Sequence, residues 1–207
     1  MLQLVIGSFA LSVVHALIPN HWVPMVLVGK TEGWSGRDTL WVTAIAGFAH
    51  VFSTIALGIL IGTIGLNLSN LYQNLTAFIA PLILIFVGVV YFGIDFRQGS
   101  HNHLPEEAKL RGKSKYAIIL SITAAMFFSP CLEIETYYFM AGTLGWQGIL
   151  VVSFIYLIVS IAGMLLMVSL GMKGLEKFQW HFLEHHERKI TGALLITLGI
   201  ITYFVGH

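Results

Sequence analysis

Three histidines, two glutamates and the only cysteine of this 207-residue chain stand in stretches otherwise built from apolar side chains. They fall in three short motifs: His15-Ala-Leu-Ile-Pro19-Asn20-His21-Trp22, Ala46-Gly-Phe-Ala-His50-Val-Phe-Ser53-Thr54, and Ser129-Pro130-Cys131-Leu-Glu133-Ile-Glu135. Imidazole, thiolate and carboxylate together make a donor set suited to borderline divalent ions such as nickel, cobalt and zinc. A single histidine in an apolar segment is often a hydrogen-bonded packing residue. Three of them beside two acids are a poor joint account of packing, and ionisable groups at such positions usually face a cavity, pair with one another or serve function. His15, His21, His50, Cys131, Glu133 and Glu135 are therefore the candidate metal ligands, with Glu133 and Glu135 also candidate proton carriers. Met126, Met140, Met164 and Met167 offer soft thioethers, but methionine is ordinary core filler, and they are not placed in the site.

Spacing limits how these groups can meet. His15 and His21 are six residues apart, poor spacing for one helix face, unless the Pro19-Asn20 turn is unwound. Glu133 and Glu135, two apart, lie on nearly opposite faces of an ideal helix, so one of them is expected to line the site. His50 shares a face with Gly47, Ser53, Thr54 and Gly58, small residues that let helices approach closely.

The elements that carry these motifs are expected to be membrane helices. Hydrophobic residues make up 57% of the chain and charged ones 10%, against roughly 25% charged in an ordinary soluble domain. Apolar segments fall at 1–29, 38–65, 70–94, 116–145, 147–172 and 189–206, each able to cross a hydrocarbon core needing about 20 helical residues. The first lacks a basic start and a small-residue cleavage site, so it reads as mature structure rather than a signal peptide. A β-barrel would alternate polar and apolar positions, which these unbroken runs do not. All eleven basic residues lie in alternate loops: Lys30 and Arg37; Arg97, Lys109, Arg111, Lys113 and Lys115; Lys173, Lys177, Arg188 and Lys189. Basic loops stay cytoplasmic, so both termini are expected outside, in the plasma membrane of a prokaryote. The net charge of +1 argues against a nucleic-acid partner. A lone cysteine forms no internal disulfide or dithiol relay.

A shift of about 112 residues lays Pro81-Leu-Ile-Leu through Tyr91-Phe92 over Ala193-Leu-Leu-Ile through Tyr203-Phe204, and Pro19 over Pro130. Each half then holds an odd number of spans, so the copies would be inverted in the membrane. The fold expected is an all-α polytopic membrane protein of six helices in two inverted three-helix repeats. The first repeat covers 1–95, a histidine- and lysine/arginine-bearing cytoplasmic loop covers 96–115, and the second repeat covers 116–207, with a short amphipathic segment at 175–188. Pro19 and Pro130 sit mid-span, where proline removes a backbone hydrogen bond and clashes with the preceding turn; helices 1 and 4 are expected to be broken there. Irregular backbone at that depth is tolerated only where it is buried or lines a polar cavity. Outside the spans, His101 and His103, and His181, Glu184, His185 and His186, lie in cytoplasmic loops, as metal collectors or as solvated interfacial residues.

At His15-Ala-x-x-Pro19-x-His21, Gly47-x-x-His50-x-x-Ser53 and Ser129-Pro130-Cys131 the chain resembles the nickel/cobalt transporter family. More broadly it is similar to the superfamily that includes urease-accessory-like and DsbD-type membrane proteins. The resemblance implies six spans as inverted three-helix repeats with His15, His21 and His50 in the metal path. The thiol-electron branch needs a cysteine in each half, and Cys131 has no counterpart near Pro19. The nickel/cobalt pattern has no Glu-x-Glu after the cysteine, a departure that bears on the identity of the ion. The expectation is a proton-coupled secondary transporter of a divalent transition-metal ion, working outward by analogy. Its partners are the lipid bilayer, the ion and protons, with homo-oligomers allowed. An intramembrane zinc-dependent hydrolase, or an exporter of a small anion or thio-compound, are the alternatives.

Overall fold

The computed structural model describes residues 1–71, 81–90, 114–173 and 181–205, and all the regular structure among them is helical. In chain order the helices are α1 (Leu2–Leu17), α2 (Pro19–Thr31), α3 (Gly36–Leu71), α4 (Pro81–Val90), α5 (Lys115–Phe127), α6 (Leu132–Thr143), α7 (Trp146–Met172) and α8 (His181–Val205). Among the described residues three stretches are long and apolar enough to cross a membrane: Leu2–Thr31, which joins α1 and α2, Gly36–Asn70 and Trp146–Met172.

The chain leaves the helix at both prolines, and local chemistry explains how. Ile18 is extended (φ −63°, ψ 129°), the conformation that a following proline imposes on its neighbour. Pro19 is then the first residue of α2, a position where its missing N–H would have had no intrahelical partner anyway. The second break is longer. α5 is capped by Phe128, and Cys131, again extended (φ −84°, ψ 107°), is the N-cap of α6. Four helix ends therefore meet at these breaks, the C-termini of α1 and α5 and the N-termini of α2 and α6, each carrying backbone groups with no intrahelical partner.

Two sequence boundaries shift. The second loop, expected near Leu66 to Asn70, is helix: α3 continues to Leu71, and Ser69 Oγ donates to the Thr143 carbonyl at 3.4 Å, tying this last turn to the end of α6. The segment expected as a separate surface helix at 175–188 is, from His181 onward, the first part of the 25-residue α8. The cytoplasmic loop expected at 96–115, with His101 and His103, lies outside the described residues apart from its last two positions.

α3 is the axis of the packing, touching α2, α5, α6 and α7, while α1 packs against α6, α7 and α8. Small residues set the closest approaches. A Cβ on Gly58 would run into the Tyr138 ring, and one on Gly142 into the Gly62 carbonyl and the Leu66 amide, so α3 and α6 lie almost backbone to backbone. Gly171 of α7 accommodates Val26 and Trp22 of α2 in the same way, and Gly88 and Gly199 allow α4 and α8 to cross closely. Two apolar clusters result. One gathers Leu4, Leu11, Tyr137, Tyr138, Ile149, Tyr156 and Leu195; the other gathers Trp22, Met25, Val26, Met126, Met164 and Met167. Apolar side chains also cover the outside, including Trp41, Phe48, Phe52 and Leu60 of α3 and Leu150, Phe154 and Leu166 of α7.

At one end of the bundle Lys115 Nζ lies 3.5 Å from Asp38 Oδ1 and 5.6 Å from the centre of the Trp34 ring. Ser35 Oγ accepts from the Asp38 amide at 3.1 Å. These contacts bring the first basic loop and the end of the third to the same face. Both charged side chains are about half exposed, so the pair marks geometry rather than stability.

Candidate metal centre

His15 closes the last turn of α1, His21 opens α2 and His50 lies within α3, 14 residues after its start. The break at Ile18 removes the six-residue spacing problem, because it lets the two halves of the first span aim both imidazoles at α3. The three rings form a triangle with centroid separations of 4.7 Å (His15 to His21), 4.5 Å (His21 to His50) and 5.6 Å (His15 to His50). One ring nitrogen from each lies within 4.8 Å of the others. His15 and His50 are buried.

The hydrogen bonds around the triangle fix what its nitrogens can do. His50 Nδ1 is 3.3 Å from the carbonyl oxygen of Met126, a group that can only accept, so Nδ1 carries the proton. That carbonyl lies in the last turn of α5, where it also accepts from the Ser129 amide at 3.3 Å and keeps a second lone pair for the imidazole. The lone pair of His50 is thereby assigned to Nε2, which is buried and has no hydrogen-bond partner. A ligating histidine whose other nitrogen donates to a carbonyl is the usual outer-shell arrangement of a metal site.

The break before α6 supplies the remaining groups. The Cys131 amide donates to Thr54 Oγ1 at 3.2 Å, and the same hydroxyl donates to the His50 carbonyl at 3.0 Å. One threonine on α3 thus holds the start of α6 at the level of His50. Cys131 Sγ lies 3.3 Å from His15 Nδ1 and donates to Glu133 Oε2 at 2.6 Å. His15, Cys131 and Glu133 form a second group whose donor atoms all lie within 4.8 Å of one another. On the far side of His15, Tyr156 Oη of α7 is 3.4 Å from Nε2.

Of the six residues singled out in the sequence, five converge here. Glu135 does not, for the reason its spacing gave. Two residues from Glu133, it falls on the α3-facing side of α6, between Cys131, whose amide reaches Thr54, and Tyr138, whose ring covers Gly58. It is 4% exposed, and neither carboxyl oxygen has a hydrogen-bond partner. The side chains of His181, Glu184, His185 and His186 lie outside the described residues, as do His101 and His103.

Tyr156 and Thr191 belong to the site's surroundings and were not expected there, whereas Thr54 shares the His50 face already read from the sequence. Thr191 lines a small cavity with Leu11, His15, Ile18, Cys131, Glu133, Ile134 and Tyr156. A signal for Tyr156 was present: Ser153, Tyr156 and Ser160 put hydroxyls three and four residues apart in the apolar middle of α7, and Tyr156 and Ser160 are fully or almost fully buried. Comparison with family models, curated proteins and solved structures finds no match to this chain.

Proposed function

We propose that this chain is an integral membrane transporter of a divalent transition-metal ion of the nickel, cobalt or zinc kind, coupled to protons. The observation that carries the reading is the triangle of imidazoles held at the meeting point of two interrupted helices. A dry, apolar interior would gain nothing from an unpartnered Nε2 on His50, whereas an ion would be taken by it. In this reading His15, His21 and His50 hold the cargo, Cys131 and Glu133 adjoin it, and Glu135 carries a proton. Ligands must be deprotonated to bind a metal, so ion and proton occupancy oppose one another at the site itself.

Membrane insertion is supported by the apolar outer faces of α3 and α7, because exposed apolar surface of that extent is unusual on a soluble monomer. The inverted repeat is supported by packing. Tyr138 against Gly58 and Val26 against Gly171 become the same contact when the halves are exchanged by about 112 residues, and α4 and α8, which that shift superposes, cross each other at Gly88 and Gly199. Interrupted helices at the interface of two inverted repeats are the usual setting of a substrate site reached alternately from either side.

Purified protein sealed into liposomes, with a metal-sensitive dye inside, tests the proposal. Metal-dependent dye response accompanied by a lumenal pH change, both lost in His21→Ala, is the expected result. Turnover of a hydrolysable substrate in detergent, with no flux, would replace the transporter by a zinc hydrolase.

A further inference from the structure

We infer that the cargo ion occupies two adjoining positions that share His15: an all-nitrogen position made by His15, His21 and His50, and a mixed position made by His15, Cys131 and Glu133. The inference rests on the transport reading and specifies its path. The two groups are distinct in composition and have one member in common. His15 stands between them, with Nδ1 toward Cys131 at 3.3 Å and its ring 4.7 Å from that of His21. The mixed position is also more than a cluster of side chains. It borders the cavity lined by Leu11, Ile18, Ile134, Tyr156 and Thr191, and Thr191, 2% exposed, has a hydroxyl there with no hydrogen-bond partner.

The chemistry of the second position follows from its atoms. A thiol binds a metal as thiolate, so Cys131 must lose its proton, and the acceptor is already in place: Glu133 Oε2 takes the thiol hydrogen bond at 2.6 Å. The proton moves onto that oxygen and leaves the site from it as the ion arrives, so that thiolate and carboxylate hold the ion together. A neutral imidazole has one lone pair, so His15 serves one ion at a time. Paired metal sites about 3.5–4 Å apart act as a clamp on shared oxygens, whereas here a single imidazole would have to serve both ions. Occupancy is therefore exclusive, and movement of one ion from nitrogen donors to a nitrogen and sulfur set is a step along the path. Thiolate in the path selects nickel, cobalt and zinc and rejects magnesium, calcium and manganese, which prefer oxygen donors.

Cobalt(II) titration of the purified full chain in detergent reads both positions. Wild type is expected to bind one ion and to show a thiolate-to-cobalt charge-transfer band in the near ultraviolet. Cys131→Ser, close in size, is expected to lose that band, to keep cobalt affinity within about tenfold because the triangle is intact, and to slow flux in liposomes by more than about tenfold. His15→Ala is expected to lose both band and binding, and Glu133→Gln to weaken the band with the triangle still loaded. Stoichiometric cobalt binding without the band in wild type, two ions per chain, or unchanged flux in Cys131→Ser overturns the two-position path and leaves the transporter reading standing. Absence of any cobalt binding overturns both.

Discussion

Replacing Glu135 by leucine should make the protein more stable and stop transport. Its carboxyl is 4% exposed, and neither oxygen has a hydrogen-bond partner. A buried polar group without a partner costs about 1–3 kcal/mol. Leucine is close in volume and fills the same space without that cost, so the gain is about 2 kcal/mol. For a chain of this size each kcal/mol moves the melting temperature by roughly 2–4 °C, which puts the expected rise at about 4–8 °C in thermal unfolding followed in detergent. Glu135→Gln, which keeps the shape and adds donors that find no acceptor, should give no such rise. Flux in liposomes should be lost in both variants, because neither side chain exchanges a proton. A fall in melting temperature for Glu135→Leu would show that the carboxyl is held by partners and refute the reasoning. A stable variant with normal flux would remove Glu135 from the proton path.

The tight crossing of α3 and α6 predicts that Gly142→Leu fails to give monodisperse protein on size exclusion, since the new side chain meets backbone atoms of Gly62 and Leu66 and overpacking of this kind costs about 1–3 kcal/mol or more. Gly36→Ala, with open space around it, should behave as wild type. Thr54→Val leaves the Cys131 amide without its acceptor and should destabilise by about 1–3 kcal/mol, with Thr54→Ser restoring most of the loss in the same melting assay. Lowering the pH from neutral to mildly acidic should weaken metal binding measured by calorimetry, because protons compete for the imidazole nitrogens and the thiolate. An affinity that rises as pH falls would mean that protonated groups hold the ligand.

The sequence carried the site further than it carried the fold. The proline-centred motifs were legible because proline at mid-segment has few explanations, and histidines and acids in apolar surroundings have fewer still. The separation of Glu133 from Glu135 followed from helical periodicity alone. Boundaries were harder to read. The stretch Leu66-Asn-Leu-Ser-Asn-Leu has the polar residues of a loop, yet it stays helical because Ser69 finds its partner on α6, a contact no local pattern announces. Tyr156 was missed although hydroxyls at Ser153, Tyr156 and Ser160 mark one face of α7, because its partner His15 comes from α1 and is brought to it only by the fold. The division of the ligands into two groups sharing His15 depends on which nitrogen points where, which only the folded chain decides.

The most direct measurement of the central claim is an anomalous difference map, at the cobalt or nickel absorption edge, from crystals of the protein grown with that ion. One strong peak is expected within coordination distance of His15, His21 and His50, and it disappears in His21→Ala. A map with no peak among those three imidazoles, or with peaks only at the histidines near 101–103 and 181–186, would contradict that claim.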